Sequence, residues 1–284
     1  MIYPKPLKPG DTLAIVATSG PCDPVRLKKG VSVLESLGFR CRVMESCYAR
    51  AGFLAGADAL RLNDLHAAFA DPGVQGIIAA RGGYGAQRLL PGLDIDLIRR
   101  NPKIFAGYSD VTALHIVLNQ VCRLVTFHAP MPVSDFGGEV VNDETVGSFV
   151  KTLGHCPKNV NFRVDGFPQG VLIGGNLTVI ASSLGTPYEI DTGGKILFLE
   201  EINEDLYRID RMLLQLKYAG KLSAAAGIVL GDFTPHCPED LVQTLNDIIK
   251  PLNIPYITGF PCGHCSPTLT LPLGASFDGD ASSC

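Results

Sequence analysis

"IFAGYSDVTALHIVLNQ", residues 104–120, joins two periodicities in one stretch: an apolar run to Tyr108, a Ser109-Asp110 junction, then helical spacing over 111–121. A buried strand running straight into a helix is the repeating unit of a parallel α/β sheet. The same unit recurs on either side. "TLAIVAT" (12–18) precedes a helical pattern at 24–37, "RCRVM" (40–44) one at 57–70, and "GIIAA" (76–80) a Gly-rich turn; "VTFHA" (125–129) follows the helix at 111–121. Strands alternating with amphipathic helices predict a parallel sheet with helices on its faces, and such sheets gather ligands at the carboxyl ends of their strands. Ser109 and the "RGGYG" turn (81–85) both fall there.

Residues 131–165 break the rhythm with "PVSDFGGEVVNDE", a helix ending near Gly154, and the polar "HCPKNVNFRVDG". This predicts an N-terminal α/β domain over 1–135, a linker region over 136–165 and a C-terminal domain over 166–284. In the last, "VLIGG", "KILFLE" and "GIVLGDF" alternate with helical patterns opening at "NLTVIASSLG", at 205–219 and at 238–249; short strands follow around "PYITGF" and "TLTLPLG". This half is mixed α/β.

Composition narrows the partners. Of 284 residues, 46% are hydrophobic and only 18% charged, which describes a packed globular chain. A formal net charge of −4 and a pI near 5.9 give no basic field for nucleic acid or an anionic membrane. "TLAIVATSG" is too short, and too closely preceded by Asp11, for a secretory core or a membrane span, so the expected location is cytoplasmic. The nine cysteines mostly stand singly in apolar segments, as Cys41 and Cys122 do, and read as reduced, buried thiols. Cys262 and Cys265 form a C-x-x-C pair around His264.

Ser109 has two local readings: an N-cap whose oxygen accepts from the following turn, or a hydroxyl nucleophile lifted above the sheet edge at a helix start. Its G-x-S-D context lacks the trailing glycine of the G-x-S-x-G elbow. The Gly-Gly turn follows an apolar strand and reads as opening a helix, but it is too short for a dinucleotide fingerprint and has no P-loop Lys-Ser/Thr pair. Its bare amides suit an oxyanion hole, with Gly83 and the amide of Asp110 as donors, or a plain turn that needs glycine. A base would come from six histidines. His115 is not at a facing offset from Ser109, His66 reads as an edge residue, and His155 and His236 lie in polar loops; His128 and His264 remain. A carboxylate orienting that base is available at Glu200 or Glu201, which strand alternation sends to opposite faces, unless both merely solvate a strand end.

Taken together, "ARGGYGAQRLLPGLD", "FAGYSDVTALH", "TFHAPM", "GGNLTVIASSLGTPYEID", "LFLEEINEDLYRIDRMLLQL", "GIVLGDF" and "GHCSPTLTLPLG" resemble, in order and through nearly the whole chain, the LD-carboxypeptidases of peptidase family S66. That family includes muramoyl-tetrapeptide carboxypeptidases and microcin-C immunity peptidases. The resemblance implies a flavodoxin-like N-terminal parallel sheet flanked by helices and a C-terminal mixed α/β domain, β-rich and of the swivelling type, with the site between them. It implies Ser109 as nucleophile, Glu200 as carboxylate and His264 as base, with Gly83 and Asp110 amides as the oxyanion hole. Arg81 and Tyr84, beside the Gly-Gly turn, are candidate substrate contacts, and Arg81 is equally readable as one half of a structural ion pair. The implied reaction removes the terminal D-alanine of a cytoplasmic murein tetrapeptide without metal or cofactor; a homodimer is expected on the same ground. The chain departs from the pattern at Thr268, where relatives often carry Asn, and at "FHAP" in place of the commoner "FHGP". Having no tryptophan and no long stacking loop, it fits the murein branch better than the microcin branch. Two readings from other classes are a C-x-x-C thiol oxidoreductase, whose motif here lacks its usual strand–helix context, and a non-catalytic peptide- or sugar-binding protein.

Overall fold

A computed structural model describes residues 1–161 and 166–278; part of the expected linker, 162–165, and the tail at 279–284 lie outside the described residues. The chain builds two mostly parallel sheets. The first contains β1 (Thr12–Val16), β2 (Arg40–Val43), β3 (Gly76–Ala79), β4 (Ile104–Gly107) and β5 (Thr126–His128). Their spatial order, β2-β1-β3-β4-β5, is the flavodoxin-like arrangement, and every pairing among them is parallel. Each residue of β3 and β4 is buried, because helices cover both faces. These are α1 (Pro24–Ser36), α2 (Asp58–Ala70), α3 (Ile95–Arg100) and α4 (Thr112–Gln120). Asp23 caps α1 by accepting from the Arg26 amide, with Pro24 at the first helical position.

After α5 (Asp143–His155) and the short β6 (Asn159–Asn161) comes the second sheet. Its parallel core is β7 (Gly170–Asn176), β8 (Ile196–Ile202), β9 (Gly227–Thr234) and β10 (Tyr256–Ile257). The helices α6 (Leu177–Ser183), α7 (Leu206–Tyr218), α8 (Lys221–Ala224) and α9 (Pro238–Thr244) connect them. β11 (Leu271–Leu273) and β12 (Ser276–Asp278) complete the two sheets.

Three features depart from the sequence reading. The turn at 81–85 opens only a 3-10 turn, Ala86–Gly92, since Pro91 and Gly92 stop an α-helix there. The helix expected at 238–249 changes at Leu245 into a wide π-type turn that buries Leu245, Ile248 and Ile249. β11 leaves the second half and pairs antiparallel with β5, which would otherwise be an open edge of the first sheet.

The sheets meet along α4. Eight of its nine residues are buried, because one flank packs on the first sheet and the other meets β7, where the Asn176 amide donates to Thr112 Oγ1 at 3.0 Å. The carboxyl ends of both sheets therefore border the same crevice.

Candidate active site

Ser109 is not a cap. Neither the 3-10 turn it opens, Ser109–Val111, nor α4 receives a side-chain cap bond. Instead its backbone sits at φ +65°, a left-handed conformation that costs a serine about 1–2 kcal/mol. The sharp turn this makes between β4 and α4 is a nucleophile elbow in geometry, though the sequence lacked the trailing glycine.

The Gly-Gly turn lies directly against it. A Cβ on Gly82 would come within 2.8 Å of Ser109 Cβ and 2.9 Å of its Oγ, so only glycine fits. Gly83 has φ +116° and a Cβ there would meet the Gly20 backbone at 3.3 Å. Asp110 ties the turn to the elbow through its carboxylate, which accepts from the Ala86 amide at 2.8 Å. Burial raises the pKa of Asp110, while hydrogen bonds from Ser19 and Ala86 and the charge of Arg61 oppose the rise. Among the described residues neither the Gly83 nor the Asp110 amide has a protein acceptor, which leaves both available to an oxygen outside the chain.

Glu200 and Glu201 end β8, and both are buried, so neither solvates a strand end. Alternation separates them. Glu201 caps the start of α6, accepting from the Thr178 amide and hydroxyl at 2.8 and 2.7 Å and from Asn176 Nδ2 at 2.9 Å. Glu200 points the other way, to His264 Nδ1 at 2.6 Å. Burial opposes the charge of Glu200, but the two histidines beside it, His128 and His264, bring its pKa down to about 2. Burial also presses His264 downward; the bond to Glu200, with the charges of Glu200, Asp135 and Glu201, carries it above the ordinary histidine value.

The loop bearing His264 is held by Thr268, whose hydroxyl accepts from the Gly263 amide at 3.2 Å and reaches the Gly263 carbonyl at 3.1 Å. Its own amide donates to Thr145 Oγ1 on α5 at 2.9 Å. A threonine thus closes the loop where relatives often carry Asn. The His264 ring packs at a tilt of 59° with its centroid 4.7 Å from that of Tyr108, the residue before Ser109, and Tyr108 donates its hydroxyl to Asp135 Oδ1 at 3.1 Å. Sequence reasoning missed Tyr108 and Asp135, since no motif spacing links the β4 end to the turn at 132–136.

The remaining candidates fall elsewhere. Arg81 is half-buried, and its Nε and Nη1 donate to the carbonyls of Gly82 and Pro21 at 3.2 and 3.1 Å, so backbone rather than a carboxylate steadies it. Tyr84 is half exposed, edge-on to Phe53. His115 is a core residue bridging Thr126 and the Gly107 carbonyl, and burial pulls its pKa to about 3. His66 accepts from the Asp94 amide, His155 is exposed, and His236 binds the Glu204 carbonyl rather than water. His128 borders Glu200 but its side chain is only 2% exposed against 12% for His264, so His264 alone of the pair opens to the crevice.

Both thiols of the C-x-x-C pair are free. Burial pushes Cys262 well above its usual range and Cys265 to about 11, the opposite of the lowered thiolate that disulfide exchange needs. Cys41 is half-buried rather than enclosed.

A buried carboxylate–imidazole pair beside a strained serine and two free amides is equipped for acyl transfer. Residues 13–129 match the LD-carboxypeptidase N-terminal domain and residues 169–278 the LD-carboxypeptidase C-terminal domain. A probable murein peptide carboxypeptidase of Bacillus subtilis is 42% identical over 96% of this chain and 89% of its own. The crystal structure of muramoyltetrapeptide carboxypeptidase from Oxalobacter formigenes superposes with a TM-score of 0.83 at 33% identity, over 93% of each chain. That of an MccF-like protein from Bacillus anthracis superposes with a TM-score of 0.87 at 29% identity, over 97% of this chain and 95% of that one. The chain therefore belongs to the LD-carboxypeptidases of peptidase family S66.

Proposed function

We propose that this protein is a serine LD-carboxypeptidase that removes the terminal D-alanine from murein tetrapeptides in the cytoplasm, for reuse of the tripeptide. The observation that carries the reading is the 2.6 Å contact of His264 with Glu200, on a ring packed against that of Tyr108, the residue before Ser109. Ser109 Oγ attacks the carbonyl of the third residue as His264 Nε2 takes its proton. Glu200 stays ionised, holds the Nδ1–H tautomer and stabilises the imidazolium. The Gly83 and Asp110 amides receive the oxyanion. His264 then protonates the leaving amine, and a water attacking the acyl-enzyme returns the hydroxyl to Ser109. Arg81, beside the turn and with its Nη2 bonded to no acceptor among the described residues, takes the D-alanine carboxylate, and Tyr84 borders the entry. A homodimer is carried from the family alone, and light scattering tests it.

The test is release of D-alanine from L,D-linked tetrapeptides. Ser109→Ala lowers kcat by at least about a thousandfold while peptide binding persists; unchanged release would refute the assignment, and lost binding would favour a fold defect. Because His264 must be neutral to act and its pKa lies above 6.5, kcat/KM falls off on an acid limb centred above 6.5. The structure of the microcin C7 self-immunity protein MccF in complex with aspartyl sulfamoyl adenosine motivates a second substrate in the same assay, an aminoacyl nucleotide analogue. The absence of tryptophan leads us to expect the murein peptide to be preferred.

A further inference from the structure

Glu200 uses one oxygen on His264; its other oxygen, Oε1, is sealed from solvent and has no hydrogen-bond partner among the described residues. Facing it at 3.9 Å is His128 Nε2, equally sealed and equally unpartnered. Two complementary polar atoms left bare in the interior are costly, and an approach of about 1 Å makes them a hydrogen bond. The other nitrogen of the ring, Nδ1, lies 3.4 Å from the Cys262 thiol, which is buried and stays protonated. An ionised carboxylate can only accept, so the nitrogen facing it, Nε2, carries a ring proton, while the single thiol hydrogen is shared between Nδ1 and the Leu269 carbonyl, 3.2 Å from the sulfur. Phe198 and Tyr108 pack on the ring at 5.2 and 5.4 Å and fix its plane.

We propose that His128 is a positioning residue for the reaction: with its proton on Nε2 it holds the second oxygen of Glu200, so that the carboxylate is bracketed by two imidazoles and presents a fixed oxygen to His264. This rests on the triad reading above. Its consequence is a tuned base. A donor on Oε1 draws negative charge away from Oε2 and weakens the hold of Glu200 on the His264 proton, and losing it strengthens that hold. The groups that set the His264 titration are Glu200 and Glu201 from β8, Asp135 from the 132–136 turn and the Tyr108 ring at the end of β4. Those around His128 are Glu200, Asp135, His115, Cys262 and the Tyr108 ring.

The test uses the full chain as wild type, His128→Leu and His128→Gln. The His264 imidazole is titrated by NMR on ring-labelled protein, and kcat and KM for D-alanine release are followed against pH. In His128→Leu the His264 titration and the acid limb move up together by about 0.5–1 pH unit. Its kcat falls roughly ten- to a hundredfold at little change in KM. His128→Gln, which keeps an N–H near the Nε2 position, returns both toward wild type. Should His128→Leu fail to fold, His128→Asn, which is too short to reach the carboxylate, replaces it. An unmoved His264 titration in the folded variant, or Gln behaving as Leu, overturns the proposal. Wild type that releases no D-alanine overturns the function instead, and the NMR titration still decides the role of His128.

Discussion

Glu200 and Glu201 are adjacent, both acidic and both buried, yet the structure gives them unlike work. The folded-state pKa of Glu200 is depressed to about 2, so its ionisation stabilises the fold above the unfolded carboxylate range and is lost as pH falls through about 2. The gap in melting temperature between wild type and Glu200→Gln should therefore narrow between pH 5 and pH 2; a gap constant with pH would mean the charge contributes nothing. Glu201→Ala strands the Thr178 amide and hydroxyl and Asn176 Nδ2, and should cost about 2–3 kcal/mol in denaturant unfolding. Strand alternation told that the two acids diverge, and the resemblance named Glu200. Alternation alone could not say which acid faces the crevice, because a register shift between Leu199 and Glu201 intervenes and is invisible in an apolar run. Ser109 was ambiguous for a related reason: its left-handed backbone is imposed by tertiary packing rather than by any neighbour in sequence.

Elements were more legible than contacts between them. β1, β3 and β4 begin where the apolar runs begin, and α1, α2 and α4 lie within a residue or two of their expected ends, because burial on both strand faces leaves an uninterrupted hydrophobic signal. β7 is legible for its glycines but not for their reason. A Cβ on Gly174 would lie 1.9 Å from the Phe198 carbonyl oxygen at a φ of +126°, so β7 can approach β8 only without a side chain there. Gly174→Ala should cost about 3 kcal/mol or more, read as a fall in denaturation midpoint; a loss below about 1 kcal/mol would show that the strands part easily. The helix after β9 was overextended in the sequence reading because buried Leu245, Ile248 and Ile249 satisfy helical spacing and π-turn spacing alike.

At the scale of the whole molecule, the sequence divides readily into two halves, but the chain does not keep to that division. β11 crosses back to the first sheet, α4 is enclosed between both sheets, and Gln87 and Gln120 reach Ser182 and the 189–191 turn across the boundary. Nothing in three residues of "LPL" told which sheet they would join. With this much shared core, calorimetry should find one cooperative transition whose calorimetric and van't Hoff enthalpies agree; two resolved peaks would mean that the halves unfold separately. The crossing of β11 also bears on motion. The segment carrying His264 leaves β10 in one sheet and enters β11 in the other, with Thr268 and Thr270 fastened to α5 on the way. It is moored on both banks of the crevice, so any rocking of one half against the other must tug the imidazole itself, and the gap between the halves and the readiness of the base change as a single coordinate.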